Sequence, residues 1–245
     1  MTTTNKEAKV EAALTKGINA GENKDFDSAI IYFTKAIELD PKYANAYYNR
    51  GVAYSDLKKY PEAIADYTKA IELDPMDAST YYNRGNAYSN LKKYPVAIVD
   101  LTKAIELDPK LAAAYYNRGN AYSELEKYPE AIADLTKAIE LDPKLAAAYY
   151  NRGNAYSELE KYPEAIADFT KAIKLDPKHA GAYYNRGYTY SNLEKYPEAI
   201  ADFTKAIKLD PKHAGAYYNR GNAYEALGKT KEAEADFAKA KALEM

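Results

Sequence analysis

Side chains able to do chemistry recur in this chain at one fixed interval. Asp66, Asp100, Asp134, Asp168, Asp202 and Asp236 form one row, and Arg50, Arg84, Arg118, Arg152, Arg186 and Arg220 form another, each spaced by 34 residues. A carboxylate row could supply general acids and bases, and a guanidinium row could bind anions. A catalytic acid, however, needs surroundings unlike those of its copies, and these six share one local setting. They read as solvated helix faces and ion pairs. The arginine stems are expected to pack on aromatic rings with their heads on nearby Asp or Glu, an anion-binding ladder being the rival reading. The sole histidines, His179 and His213, both precede the run Ala-Gly-Ala-Tyr-Tyr, and no Cys or HExxH spacing completes a metal site. They read as copied loop residues. Cysteine and tryptophan are absent, which excludes disulfides, thiolate metal sites and thiol chemistry. The expectation is a non-enzymatic chain with no cofactor and no metal.

Three further rows carry recognition chemistry. Asn49, Asn83, Asn117, Asn151, Asn185 and Asn219 form the first, and Asn86, Asn120, Asn154 and Asn222 the second, interrupted by Val52 and Tyr188. A carboxamide is both donor and acceptor, so it can pair with a peptide backbone without reading side chains. Tyr48, Tyr82, Tyr116, Tyr150, Tyr184 and Tyr218 stand beside them, offering apolar faces with a polar tip.

The elements that position these rows are legible in one unit, residues 112–145. Tyr115, Arg118, Gly119 and Tyr122 share one helical face, and Ala131, Leu135, Ala138, Ile139 and Leu141 share a second, so two amphipathic helices flank a break. Pro129 opens the second helix, where its missing N–H costs nothing, and Pro143 lies beyond its end. All eleven prolines occupy one of these two positions, which fixes the boundaries. Gly119 and its copies sit inside the first helix at a cost of about 1 kcal/mol relative to Ala, offset by close approach of the partner helix beside Ala131 and Ala138. Asp-Pro returns from Asp40-Pro41 to Asp210-Pro211 every 34 residues, so the chain is a stack of like units and not a domain around one centre. Net charge is −2 with both signs interleaved, and no basic stripe offers itself to nucleic acid or anionic membrane. No apolar run reaches membrane-spanning length and no leader pattern opens the chain, so a cytoplasmic protein without membrane insertion is expected.

The pattern Tyr115-x2-Arg118-Gly119-x2-Tyr122, then Ala131-x3-Leu135, Ala138 and Pro143, resembles the tetratricopeptide repeat, with Tyr in the usual Trp place and Arg in the usual Leu place. The resemblance implies an all-α right-handed α-solenoid of antiparallel helix pairs. Behind a lead-in at 1–9, one array of seven repeats spans 10–245, as 10–43, 44–77, 78–111, 112–145, 146–179, 180–213 and 214–245. It also implies a concave groove lined by the first helices, where Ala113, Tyr116, Asn117, Asn120, Ser123, Glu124 and their copies would hold a peptide or partner protein. A chaperone carboxylate clamp is not expected, because the positions that need Lys, Arg and Asn hold Leu14, Ile18, Asn49, Ser79 and Asn83, and only one of the five fits. Family geometry would bury Ile132 and Ile139 against a following repeat. The last copy carries Glu234 and Lys241 there, an expected capping face. In the first copy Val10, Leu14 and Ile18 form an apolar stripe, either packed under residues 1–9 or forming a groove end or weak self-association surface. The alternative to a binding scaffold is thus a structural or self-assembling module, duplicated or engineered, without a dedicated ligand.

Overall fold

In the computed structural model the described residues are 3–244, and among them the chain forms fourteen α-helices and no strand. They gather into two compact units, one up to residue 125 and one from residue 126, a division inside the expected 112–145 repeat. The first unit holds α1 (Thr3–Glu22), α2 (Phe26–Leu39), α3 (Ala44–Asp56), α4 (Tyr60–Leu73), α5 (Ala78–Asn90), α6 (Tyr94–Leu107) and α7 (Ala112–Glu124). The second holds α8 (Tyr128–Leu141), α9 (Ala146–Glu158), α10 (Tyr162–Leu175), α11 (Ala180–Asn192), α12 (Tyr196–Leu209), α13 (Ala214–Ala226) and α14 (Thr230–Glu244). Within each unit neighbours in sequence are neighbours in space, α1 on α2, α3 on α4 and α5 on α6, then α9 on α10, α11 on α12 and α13 on α14. No helix among the described residues is long and apolar enough to cross a membrane.

Local chemistry sets each boundary. Pro61, Pro95, Pro129, Pro163 and Pro197 lie in the first turns of α4, α6, α8, α10 and α12, where no intrahelical N–H bond is lost. The Asp of each Asp-Pro closes a turn with its own carboxylate: Asp40 Oδ1 accepts from the Lys42 N–H at 3.1 Å, and Asp108 Oδ1 from that of Lys110 at 3.0 Å. The break inside a repeat is a helix-terminating loop in which Lys59 N–H reaches back to Tyr54 C=O at 2.8 Å while Lys58 takes φ of 59°. This left-handed position holds Lys or Glu in six turns and glycine only at Gly228.

Within each unit the odd-numbered (inner) helices approach the even-numbered (outer) ones through glycine. A Cβ on Gly85 would lie 2.9 Å from Leu101 Cγ and 3.3 Å from the Ala97 carbonyl, and one on Gly51 would lie 2.7 Å from the Tyr67 ring. The glycine therefore makes room chiefly for the large residue of the partner helix, with the alanines, Ala97 and Ala104 among them, fully buried beside it.

Charge is buried in the same seam, which corrects the solvated reading of the aspartates. Asp66, Asp100, Asp134, Asp168, Asp202 and Asp236 are all buried. Arg84 donates from Nε and Nη2 to both oxygens of Asp100 at 2.7 and 2.8 Å, and from Nη1 to Thr68 Oγ1 of the preceding outer helix at 3.0 Å. Arg50, Arg152, Arg186 and Arg220 repeat the arrangement with Asp66, Asp168, Asp202 and Asp236. The arginines lie over tyrosine rings as expected, Arg84 at 5.8 Å from the centre of Tyr81. The paired carboxylate holds the arginine pKa above its ordinary value. These five guanidinium groups are spent on binding one inner helix to two outer helices, and they do not form an anion ladder.

The N-terminal expectations change too. Helix α1 runs from Thr3, so residues 3–9 of the expected lead-in are helical and continuous with the first helix of the array, while residues 1–2 lie outside the described residues. Val10 and Leu14 are buried in a core with Ala29, Phe33 and Ala46, while Ile18 is 38% exposed. The stripe is mainly packing, and only Ile18 remains for a surface role. Glu234 and Lys241 are exposed.

Candidate functional site

The polar rows lie on the inner helices, where a repeat meets the next through neutral hydrogen bonds. In the first unit Asn83 Nδ2 donates to the Tyr48 hydroxyl at 3.1 Å. Asn117 Nδ2 donates twice, to the Tyr82 hydroxyl at 3.2 Å and to Asn86 Oδ1 at 2.7 Å. In the second unit Asn185 repeats both bonds, to Tyr150 at 3.0 Å and Asn154 at 2.7 Å, and Asn219 donates to Tyr184 at 2.9 Å. The first Asn row is thus partly a chain of clips joining an inner helix to the one before it. Both amide hydrogens of Asn117 and of Asn185 are used, which leaves each of these side chains its carbonyl oxygen.

The tyrosine row is held from behind by rings. Tyr48 packs at a tilt on Tyr67 with centres 6.2 Å apart, Tyr150 on Phe169 at 6.0 Å, Tyr184 on Phe203 at 5.8 Å and Tyr218 on Phe237 at 5.6 Å. Burial pushes the Tyr48 and Tyr184 hydroxyls up, so these remain neutral. His179 and His213 complete the support: Nδ1 of each accepts the third N–H of α11 or α13 at 3.1 Å, and their rings lie 4.5 and 4.4 Å from Tyr150 and Tyr184. They are helix caps that also carry the tyrosines. Among the described residues no group of His, Cys, Asp or Glu is arranged to hold a metal.

Three hollows open on this surface. In the first unit one of about 440 Å³ is lined by Asn86, Ser89, Asn90, Tyr94, Asn117, Asn120, Ala121 and Glu124. A second, about 290 Å³, is bounded by Gly17, Ile18, Gly21, Glu22, Phe26, Phe33, Asn49, Val52, Ala53 and Asp56. In the second unit a hollow of about 480 Å³ is lined by Asn154, Ser157, Glu158, Phe169, Tyr184, Asn185 and Tyr188. The structure therefore brings together Asn86, Asn117 and Asn120, then Ile18 with Asn49, then Asn154, Tyr184, Asn185 and Tyr188. Tyr48, Tyr82 and Tyr150 lie behind, as acceptors for the clips, and Tyr116 and Asn151 are half-buried on the same helices. Tyr218 is 54% exposed and Asn222 is exposed near it in sequence, outside these hollows.

Sequence reasoning missed the contributors from the outer helices, Phe26, Phe33, Tyr94 and Phe169. The Tyr94 hydroxyl donates to Glu124 Oε2 at 2.9 Å, closing one wall of the amide-lined hollow in the first unit. The bond raises the pKa of the tyrosine. Tyr60, Tyr94, Tyr128, Tyr162 and Tyr196 all precede the first-turn proline, a repetition as regular as that of the asparagines and a signal that could have found it.

A family model described as the tetratricopeptide repeat matches residues 44–77, 78–111, 146–179 and 180–213, and a second so described matches 101–133 and 203–235. A model described as the TPR repeat matches 22–58 and 119–160. Among solved structures, YrrB, described as a TPR protein with an unusual peptide-binding site, is 33% identical over 75% of this chain and 95% of its own, with a TM-score of 0.67. A tetratricopeptide repeat protein from Parabacteroides merdae ATCC 43184 shares the fold at a TM-score of 0.72 and 24% identity, over 96% of this chain and 93% of its own. The uncharacterized protein MJ0572 of Methanocaldococcus jannaschii is 43% identical over 42 residues, 17% of this chain. That match spans about half of the relative's length, 49%.

Proposed function

Because the chain belongs to the tetratricopeptide repeat family, a family of protein-interaction scaffolds, we propose that it holds an extended segment of a partner protein against its inner helices and catalyses nothing itself. The observation that carries this reading is the amide hollow of the first unit. Asn86, Asn90, Asn117 and Asn120 converge there beside Glu124 and Tyr94, around a space of about 440 Å³. A micromolar complex needs about 8 kcal/mol and one net hydrogen bond supplies about 0.5–1.5, so several aligned backbone contacts are required. A bank of carboxamides and hydroxyls meets that need while tolerating varied side chains. The resemblance to a peptide-binding relative supports the same assignment.

Peptides selected from a random linear library on the full-length protein test this. Asn90 is exposed and lines the hollow, so Asn90→Trp fills the space without disturbing the core. Dissociation constants for the selected peptides should rise about tenfold or more, equal to about 1.4 kcal/mol, with unchanged thermal melting. Affinities unaltered by this change would refute the reading. Self-association keeps one favouring observation: Ile31, Val96 and Val99 are 66%, 45% and 66% exposed on α2 and α6, and most copies carry Glu and Ala at the positions of Val96 and Val99. Light scattering of wild type and Val99→Glu across concentration decides whether that face pairs.

A further inference from the structure

We propose that the first unit selects a cationic segment: an apolar residue seated against Ile18, Phe26 and Val52, with an adjacent Lys or Arg held between Glu22 and Asp56. The inference rests on the scaffold reading and adds the chemistry of the partner.

Charge bookkeeping along the inner helices carries it. Each of α3, α5, α7, α9, α11 and α13 has a single basic residue, the repeated arginine, and α1 carries Lys6, Lys9 and Lys16, none of which lines the hollow. In α3 and α5 that arginine is turned into the seam and neutralised by a buried, bidentate aspartate. No Lys, Arg or His lines any of the three hollows, while each has a carboxylate on its wall: Glu22 and Asp56 in one, Glu124 in another, Glu158 in the third. Glu22 and Asp56 are exposed and form no ion pair among the described residues. The surface is therefore negative by construction and not through a small imbalance in composition.

The remaining hydrogen-bonding capacity points the same way. In the neighbouring amide hollow, with both amide hydrogens of Asn117 spent on Tyr82 and Asn86, that side chain offers a ligand an acceptor and Glu124 adds another, beside the donor hydrogens of Asn86. Groups rich in donors, an ammonium or a guanidinium, satisfy such a wall, whereas a carboxylate or phosphate would face carboxylates with no cation to offset them. The hollow beside Glu22 and Asp56 adds an apolar floor of Ile18, Phe26, Phe33 and Val52. A lysine or arginine stem can lie on that floor while its head stays at the rim.

Three fluorescein-labelled peptides with blocked ends test the proposal on the full chain, each alternating leucine with lysine, glutamine or glutamate. Fluorescence anisotropy should give the lysine peptide a dissociation constant about tenfold below that of the glutamine peptide at low salt, with the glutamate peptide weakest and the gap closing at high salt. The combined Glu22→Gln and Asp56→Asn variant should remove most of the gap while leaving the glutamine peptide and thermal melting unchanged. Ile18→Ser should weaken both the lysine and the glutamine peptides. If lysine and glutamine peptides bind equally and both lose affinity in Ile18→Ser, the charge inference is overturned and the scaffold reading stands. If none of the three binds, or binding ignores all of these substitutions, the inference falls together with the groove assignment on which it rests.

Discussion

The amide hollow and the apolar hollow of the first unit are one construction with two chemistries. Position for position at a separation of 68 residues, Ile18 stands where Asn86 does, Gly21 where Ser89 does, Glu22 for Asn90, Phe26 for Tyr94, Asn49 for Asn117, Val52 for Asn120, Ala53 for Ala121 and Asp56 for Glu124. The backbone setting is shared, but one hollow presents aliphatic and aromatic surface with two unpaired carboxylates, and the other presents amides and hydroxyls. In a repeat fold the scaffold positions are held constant and a few exchanges at one register alter what the surface recognises. Val52 and Ile18 are the exchanges that make the first hollow apolar.

The comparison breaks most severely if the shared scaffold is removed. Asp100→Ala strands the half-buried guanidinium of Arg84 next to the amide hollow and should cost about 3–5 kcal/mol, and Asp66→Ala should match it beside the apolar one. Denaturant unfolding of the full chain measures both. A cost below about 1 kcal/mol for either would mean that the buried pairs are not the common frame. Next in size is the close approach of the helices. Gly85→Ala forces a methyl to within 2.9 Å of Leu101 Cγ and 3.3 Å of a backbone oxygen, an overpacking expected to cost about 1–3 kcal/mol in the same measurement.

Much of this frame is readable in the sequence because it is periodic. Proline at two places per unit fixed the ends of the helices, and the glycine inside the first helix announced a tight contact. Contacts that join one repeat to the next were not readable in that way. The bond from Asn117 to Tyr82 spans 35 residues and that from Asn117 to Asn86 spans 31. Both partners recur in every complete interior copy or nearly so, hence a row that binds a ligand and a row that binds its neighbour look alike in sequence. Burial of the aspartates was hidden for a related reason: an acidic residue on a helix reads as solvated until the arginine that neutralises it, 16 residues earlier, is brought beside it. At the start of the chain, Val10 and Leu14 formed a visible stripe, but the second helix that covers them lies beyond the window in which the stripe was read.

A sharper contrast comes from the same asparagine position in the two hollows. Asn117 Nδ2 ties two inner helices together, whereas Asn49 Nδ2 donates only to the Asn45 carbonyl of its own helix at 2.7 Å. Asn117→Ala should therefore lower stability by about 1–2 kcal/mol, and Asn49→Ala by less than about 0.5 kcal/mol. Equal costs would show that the clip contributes nothing beyond the helix. Loss of peptide binding in Asn117→Ala must accordingly be separated from loss of stability by measuring both, and Asn90→Trp is the cleaner probe of the hollow.

The smallest effect has the most diagnostic sign. Ser55 and Ser89 occupy the same inner-helix position in consecutive repeats. Ser55 lies close enough to the Tyr67 hydroxyl to oppose the rise that burial imposes on its pKa, whereas Ser89 Oγ is buried without a hydrogen-bond partner. Removing the Ser55 hydroxyl takes a polar neighbour from the Tyr67 oxygen, whereas removing an unbonded one relieves a desolvation cost. Ser55→Ala should destabilise the chain by about 1 kcal/mol and Ser89→Ala should stabilise it by about 0.5–1 kcal/mol. Thermal unfolding of the two variants side by side provides the measurement. Opposite shifts would establish that the hydroxyl of this repeated serine is matched to a single partner, Tyr67. Two shifts of the same sign would mean that the serine acts through its size alone, and the pairing of Ser55 with Tyr67 would lose its energetic basis.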